Sequence, residues 1–198
     1  MGGIFISYRR DDTAPYARLL SGALASRFGA HRVFRDIDTL TPGTDFPRAI
    51  ADAVEGCDVL LALIGPGWLT AERDGRRRLD DPGDFVRLEI AAALERGTLV
   101  VPVLMERTPM PAGDELPAPI AALADRNALR LADESWGDGV RRLLEALERL
   151  VPPSEAPAPA SPPGAAPGGD HITAHIAGSV PGQVAVGTGI VQTQSPPG

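Results

Sequence analysis

Glu89 stands four residues after Phe85 in the segment 84–96, a spacing that puts both side chains on one flank of a helix. Val86, Ile90, Ala93 and Leu94 form the apolar stripe of that helix, and Glu89 falls about a quarter-turn from it. A carboxylate at the edge of burial beside an aromatic ring suits the stabilisation of developing positive charge. The plainer alternative is a helix-flank glutamate paired with Arg87 or Arg96. Other chemistries lack their residues. Neither G-x-G-x-x-G nor G-x-x-x-x-G-K-[ST] occurs, and Gly65-Pro66-Gly67 reads only as a turn. His31, His171 and His175 are scattered, so no metal site is expected. A Ser–His–Asp triad would need His31, which lies away from the segments where the chemistry is expected. Cys57 begins an apolar run and reads as a packed small side chain rather than a reactive thiol.

The elements that must position Glu89 follow from the apolar pattern. Short apolar or β-branched runs predict strands over 2–8, 32–35, 58–64, 99–104 and 128–131. The run 58–64 (DVLLALI) is continuously apolar after its first residue, as in a parallel strand covered on both faces. Pro102 within 99–104 predicts a bulge or an edge. Helical spacing predicts helices over 16–28, with Asp12 or Thr13 as cap and Pro15 in the first turn, after Asp45, over 84–96 and over 136–150. Residues 65–83 read as a long polar loop, and the run 72–84 as solvated and internally paired or as a lid. Residues 106–119 read as Pro-rich loop. Strands alternating with helices predict an α/β fold, a flavodoxin-like doubly wound five-stranded parallel sheet. Ligands then bind beyond the carboxyl ends of the strands.

Composition divides the chain. Residues 1–151 carry 19 basic and 24 acidic side chains, and every basic one is Arg; from His171 onward there is no charged residue. Residues 1–151 are read as the domain. A formal charge of −7 argues against nucleic acid as a partner. There is no leader pattern and no apolar run approaching ~20 residues, which predicts a cytoplasmic chain without membrane contact. Residues 152–170 contain seven prolines and read as a disordered linker. Residues 171–198 are uncharged and rich in Val, Ile, Gly, Gln and Thr, a composition prone to cross-β stacking; the alternative is an inert tail.

Five separated segments, GIFISYRRDD at 3–12, VFRDID at 33–38, LTPGTDF at 40–46, CDVLLALIGPG with Trp68 at 57–68, and DFVRLEIAAALERG at 84–97, resemble in order and spacing the TIR family, in particular its bacterial NAD⁺-cleaving branch. The resemblance spans about residues 1–151. It implies the TIR fold and makes Glu89 the catalytic glutamate. Phe85 stands where this branch often has Trp. Ser7, Arg9, Arg10 and Asp36 are placed beside the nucleotide, with Trp68 in the loop over the nicotinamide. Arg9 or Arg10 would pair with the diphosphate, the alternative being a solvated strand-end pair; Trp68 reads equally as core. Asp38, Leu40, Pro42, Gly43 and Phe46 fall in the family's BB loop, which packs on a neighbouring subunit.

The resemblance thus implies an NAD⁺ nucleosidase, releasing ADP-ribose or a cyclised isomer, that acts in bacterial anti-phage cell suicide once copies assemble. NAD⁺ is its substrate; no cofactor is expected. Expected partners are further copies of the chain and an upstream sensor sharing the tail motif. Gln183, Val184, Val186, Gly187 and Gln192 loosely resemble the amyloid signalling motifs of bacterial immune effectors, with Ala185 inserted. Two other readings remain open at this point: a non-catalytic TIR scaffold that signals by TIR–TIR association, and a related α/β enzyme such as a nucleoside deoxyribosyl transferase.

Overall fold

The computed structural model describes residues 2–35 and 46–151. Five strands form one parallel sheet in the order β2-β1-β3-β6-β7: β1 (Gly3–Ser7), β2 (Val33–Arg35), β3 (Cys57–Ile64), β6 (Leu99–Met105) and β7 (Leu129–Leu131). The intervening hairpin supplies β4 (Glu72–Arg73) and β5 (Arg76–Arg77). The expected doubly wound fold is therefore present. Its centre is β3, where Leu60, Ala62 and Ile64 face one core and Val59, Leu61 and Leu63 the other, the alternation that a strand imposes.

Helices α2 (Phe46–Glu55) and α3 (Phe85–Glu95) cover the first face; α1 (Arg10–Phe28) and α4 (Trp136–Glu148) cover the second. Ile50, Val54, Val86, Ile90 and Ala93 pack into the first core. Leu20, Leu24, Phe28, Val140, Leu143 and Leu147 pack into the second. Fully burying each such side chain contributes about 1.5–3 kcal/mol, so the apolar stripes, rather than helix propensity, hold the layers.

Three expectations need correction, and a fourth, the bulge or edge expected at Pro102, is decided in favour of the edge. Helix α1 starts at Arg10, before the predicted cap, because the amides of Asp12 and Thr13 both donate to the Arg9 carbonyl; the chain then kinks at Thr13 (φ −123°, ψ 15°) and continues as the predicted helix. Pro102 sits in unbroken register with Ala62, so it marks no bulge. It lies where β6 has only one neighbour, since β7 pairs with Val103–Met105 alone. The supposed loop 65–83 contains the β4–β5 hairpin, turned at Asp74 (φ 53°) and Gly75 (φ 72°), and positive φ at both residues is what a two-residue hairpin turn needs. The Pro-rich segment also folds into 3₁₀ turns at Gly113–Glu115 and Ala118–Leu123, which sink Ile120 and Leu123 into the first core.

Candidate functional site at the carboxyl ends of β1 and β3

Strand β1 ends at Ser7, and the chain then places Tyr8, Arg9 and Arg10 over the sheet end. Helix α3 crosses the same end. Ser7 Oγ donates a 2.6 Å hydrogen bond to Glu89 Oε2, at the short end of the O–H···O range. Ser7 is 1% and Glu89 7% exposed. Glu89 thus sits at the rim of the core as its helical position predicts. The alternative partner Arg87 is engaged elsewhere, donating to the carbonyls of Leu79 and Asp80. Phe85, one turn earlier on the same flank of α3, is 39% exposed.

A buried ion pair fixes where α3 begins. Arg9 is 2% exposed. Its Nη1 and Nη2 donate to Asp84 Oδ2 and Oδ1 at 2.9 and 3.1 Å. Its Nε donates to the Trp68 carbonyl at 3.0 Å, and its guanidinium lies 5.9 Å from the Trp68 ring centroid. Asp84 is also the N-cap of α3, accepting the Arg87 amide at 3.1 Å. It accepts a further bond from Arg78 Nε at 3.2 Å. The pair therefore ties the end of β1 to the start of the helix carrying Glu89. Sequence reasoning read Asp84 only as a helix start. Its N-cap role was visible in residue type, whereas its pairing across 75 residues was not.

Two expected ligand contacts are placed differently. Arg9 spends its guanidinium on Asp84 and Trp68, so no diphosphate reaches it in this conformation. The Trp68 ring is fully buried in the first core, in agreement with its core reading, and no ring face opens to a ligand. Arg10 is exposed, as a phosphate contact would require. Gly65 and Gly67 are more than a turn: a Cβ on either would press on the Asp12 carboxylate, whose Oδ1 accepts the Gly67 amide at 2.9 Å. Asp36, Asp38, Leu40, Pro42 and Gly43 lie outside the described residues, as do Gln183, Val184, Val186, Gly187 and Gln192. Phe46 opens α2.

Cys57 donates its thiol to the Ala53 carbonyl. Burial, with the nearby Asp58 carboxylate, pushes that thiol up to about 12, which keeps it protonated and unreactive near neutrality. Among the described residues no group of three or more His, Cys, Asp or Glu converges as a metal site would. No helix among them is long and apolar enough to cross a membrane.

The TIR domain family profile matches residues 4–144, most of the chain. This chain belongs to the TIR domain family. No curated protein matches it. Among solved structures, the TIR domain is similar to the TIR domains of the activated Roq1 resistosome that recognises the pathogen effector XopQ. That match has a TM-score of 0.56 and 12% identity, and covers 74% of this chain and 99% of the other. It is also similar to a metazoan TIR-STING receptor from C. gigas, with a TM-score of 0.45 and 22% identity, over 70% of this chain and 38% of the receptor. A third structure, the Clostridium botulinum CMP N-glycosidase BcmB, aligns with a TM-score of 0.40 and 16% identity, over 71% of this chain and 95% of that one. At 12% identity the first of these is a likeness of fold alone, and the TIR domain's chemistry has to be argued from its own residues.

Proposed function

We propose that this TIR domain is an NAD⁺ nucleosidase with Glu89 as its catalytic carboxylate. The observation that carries this reading is the Ser7–Glu89 hydrogen bond at the carboxyl end of the sheet, with Phe85 one turn earlier on the same helix. Nicotinamide in NAD⁺ is a cationic leaving group and needs no acid to protonate it. When the C1′–N bond breaks, its electron pair neutralises the pyridinium, and positive charge spreads over C1′ and the ring oxygen of the ribose. A carboxylate facing that sugar stabilises the charge. Water then adds to C1′ and loses a proton, giving ADP-ribose; attack by a nucleophile of the same molecule gives a cyclic isomer. Ser7 acts as a positioning residue that fixes the rotamer of Glu89. Phe85 offers a face to the departing ring.

The depth of Glu89 supports a site that opens when copies assemble. In this reading the BB loop (Asp38, Leu40, Pro42, Gly43 and Phe46) reaches a neighbouring TIR domain. Residues 152–170 act as a tether, and residues 171–198 stack copies or pair with a sensor bearing the same motif, raising the local concentration. The setting is a bacterial cytoplasm in which NAD⁺ depletion kills an infected cell. The same depth also favours a second reading, a scaffold that signals by TIR–TIR association without turnover.

Nicotinamide release separates the two. A forced oligomer of the full chain is expected to release nicotinamide from NAD⁺. Glu89→Gln is expected to lower the rate by more than about 100-fold with an unchanged circular dichroism spectrum. A silent wild-type oligomer, or full activity in Glu89→Gln, returns the protein to the scaffold reading.

A further inference from the structure

The β4–β5 hairpin holds two guanidiniums that its own acids do not neutralise. Arg73 and Arg76 are direct partners across the ribbon, so both side chains rise on one face. Like charges opposite each other repel, whereas the other pair of the hairpin, Glu72 and Arg77, attracts. Among the described residues neither Arg73 nor Arg76 makes an ion pair or a side-chain hydrogen bond, and both are exposed. Both line a pocket of about 640 Å³ that extends to Asp84, a volume in the range of small-molecule sites, roughly 300–1,000 Å³.

The aspartates of this pocket are mostly committed. Asp80 is held by Arg77, which keeps its carboxyl below the usual carboxylate range. Asp84 is held by Arg9 and Arg78, and Asp81 accepts the Gly83 amide. Asp74, in the turn, and Asp81 have no ion pair with an arginine among the described residues. These acids do not converge as a cation site would. The lining is balanced overall, with four arginines and four aspartates, but Arg73 and Arg76 stand side by side without an ion pair among the described residues, two adjacent planar donors of the kind that suit phosphate oxygens.

We propose that the hairpin pocket binds the phosphates of a nucleotide, with Arg73 and Arg76 as the fork that grips them. The identity of the nucleotide rests on the nucleosidase reading. Asp84 precedes Glu89 by five residues, a helix rise of about 7.5 Å. In the proposal, a dinucleotide whose nicotinamide ribose lies at Glu89 places its phosphates at the hairpin pocket, which Asp84 borders. This gives Arg73 and Arg76 a role that the sequence suggests for Arg9 or Arg10.

The test is calorimetric titration of the full chain, carrying Glu89→Gln where NAD⁺ is the probe, with inorganic pyrophosphate, ADP-ribose and NAD⁺. Pyrophosphate and ADP-ribose are expected to bind, ADP-ribose more tightly. The double variant Arg73→Gln/Arg76→Gln is expected to weaken both at least tenfold, and Arg141→Gln, an exposed control on α4, to leave them unchanged. The two arginines are exposed on a hairpin, and a matching circular dichroism spectrum checks the fold. Failure of the parent chain to bind pyrophosphate overturns the proposal, as does equal binding by the double variant. Equal affinity for pyrophosphate and ADP-ribose removes the nucleotide from it. Binding that depends on the arginines without nicotinamide release in the Glu89-bearing chain leaves the pocket standing and sinks the nucleosidase reading. Nicotinamide release with an unaltered KM in the double variant does the reverse.

Discussion

Ser7 donates to Glu89 on one side of β3, and Tyr16 donates to Glu106 on the other. Both bonds join a hydroxyl to a carboxylate near the carboxyl edge of the sheet, at 2.6 and 2.9 Å, yet their surroundings differ. Glu106 follows β6 with φ at 54°, an uncommon conformation for a side-chain-bearing residue, costing about 1–3 kcal/mol. It is held there by contacts around its whole length. Its amide donates to the Leu131 carbonyl, its carbonyl accepts from Arg130, and its carboxylate also accepts the Asp133 amide. Glu106 is a clasp that closes the β6–β7 end. Glu89 instead rides a regular helix, with Arg9–Asp84 fixing where that helix starts. A hydroxyl–carboxylate pair alone is therefore a weak sign of catalysis; what distinguishes Glu89 is an acid presented on a rigid element and backed by a buried anchor.

Breaking the anchor gives the largest expected effect. Arg9→Ala leaves Asp84 buried and without its main partner, which destabilises by about 3–5 kcal/mol. A urea titration should show a lower midpoint; a loss under 1 kcal/mol would mean that the pair does not anchor α3. The clasp should matter less. Glu106→Ala strands partly exposed donors and is expected to lower stability by about 1–2 kcal/mol, while a chain that releases nicotinamide keeps its rate within about twofold. A large loss of rate there would erase the distinction drawn between the two glutamates.

The smallest effect concerns pH. The Glu106 carboxylate, through its hydrogen bond to the phenol, is the main cause that raises Tyr16 from 10.0 to about 12. The stabilisation from this bond is present below the unfolded value near 10 and is lost as the pH rises toward 12. Tyr16→Phe should lower the melting temperature slightly at pH 8, by about 1 kcal/mol of stability. It should also flatten the decline in melting temperature between pH 9.5 and 11.5. Parallel declines in the two proteins would show that Tyr16 is not the titrating group.

Much of this arrangement could be read from residue order. The apolar run ending at Ile64, the stripes of α3 and α4, and the rim position of Glu89 all follow from periodicity, which is a local property. The Asp74-Gly75 dipeptide signals a hairpin, but its flanking residues are charged rather than apolar, so the signal was masked. The fates of Arg9 and Trp68 depend on partners far away in sequence. No spacing rule tells a guanidinium destined for a buried carboxylate from one destined for a phosphate. The turns at 113–123 are short 3₁₀ pieces interrupted by Pro117 and Pro119, so no helical period is sustained long enough to show, although Ile120 and Leu123 are buried.

Asp84 serves two masters, as the first hydrogen-bond acceptor of α3 and as the counter-charge of Arg9. In any lineage descended from this chain, a neutral replacement at either position strands an ionised group inside the protein, so each single step leads downhill in fitness before the second can restore it. Natural sequences close to this one should therefore keep both residues or exchange both, and mixed combinations should be scarce.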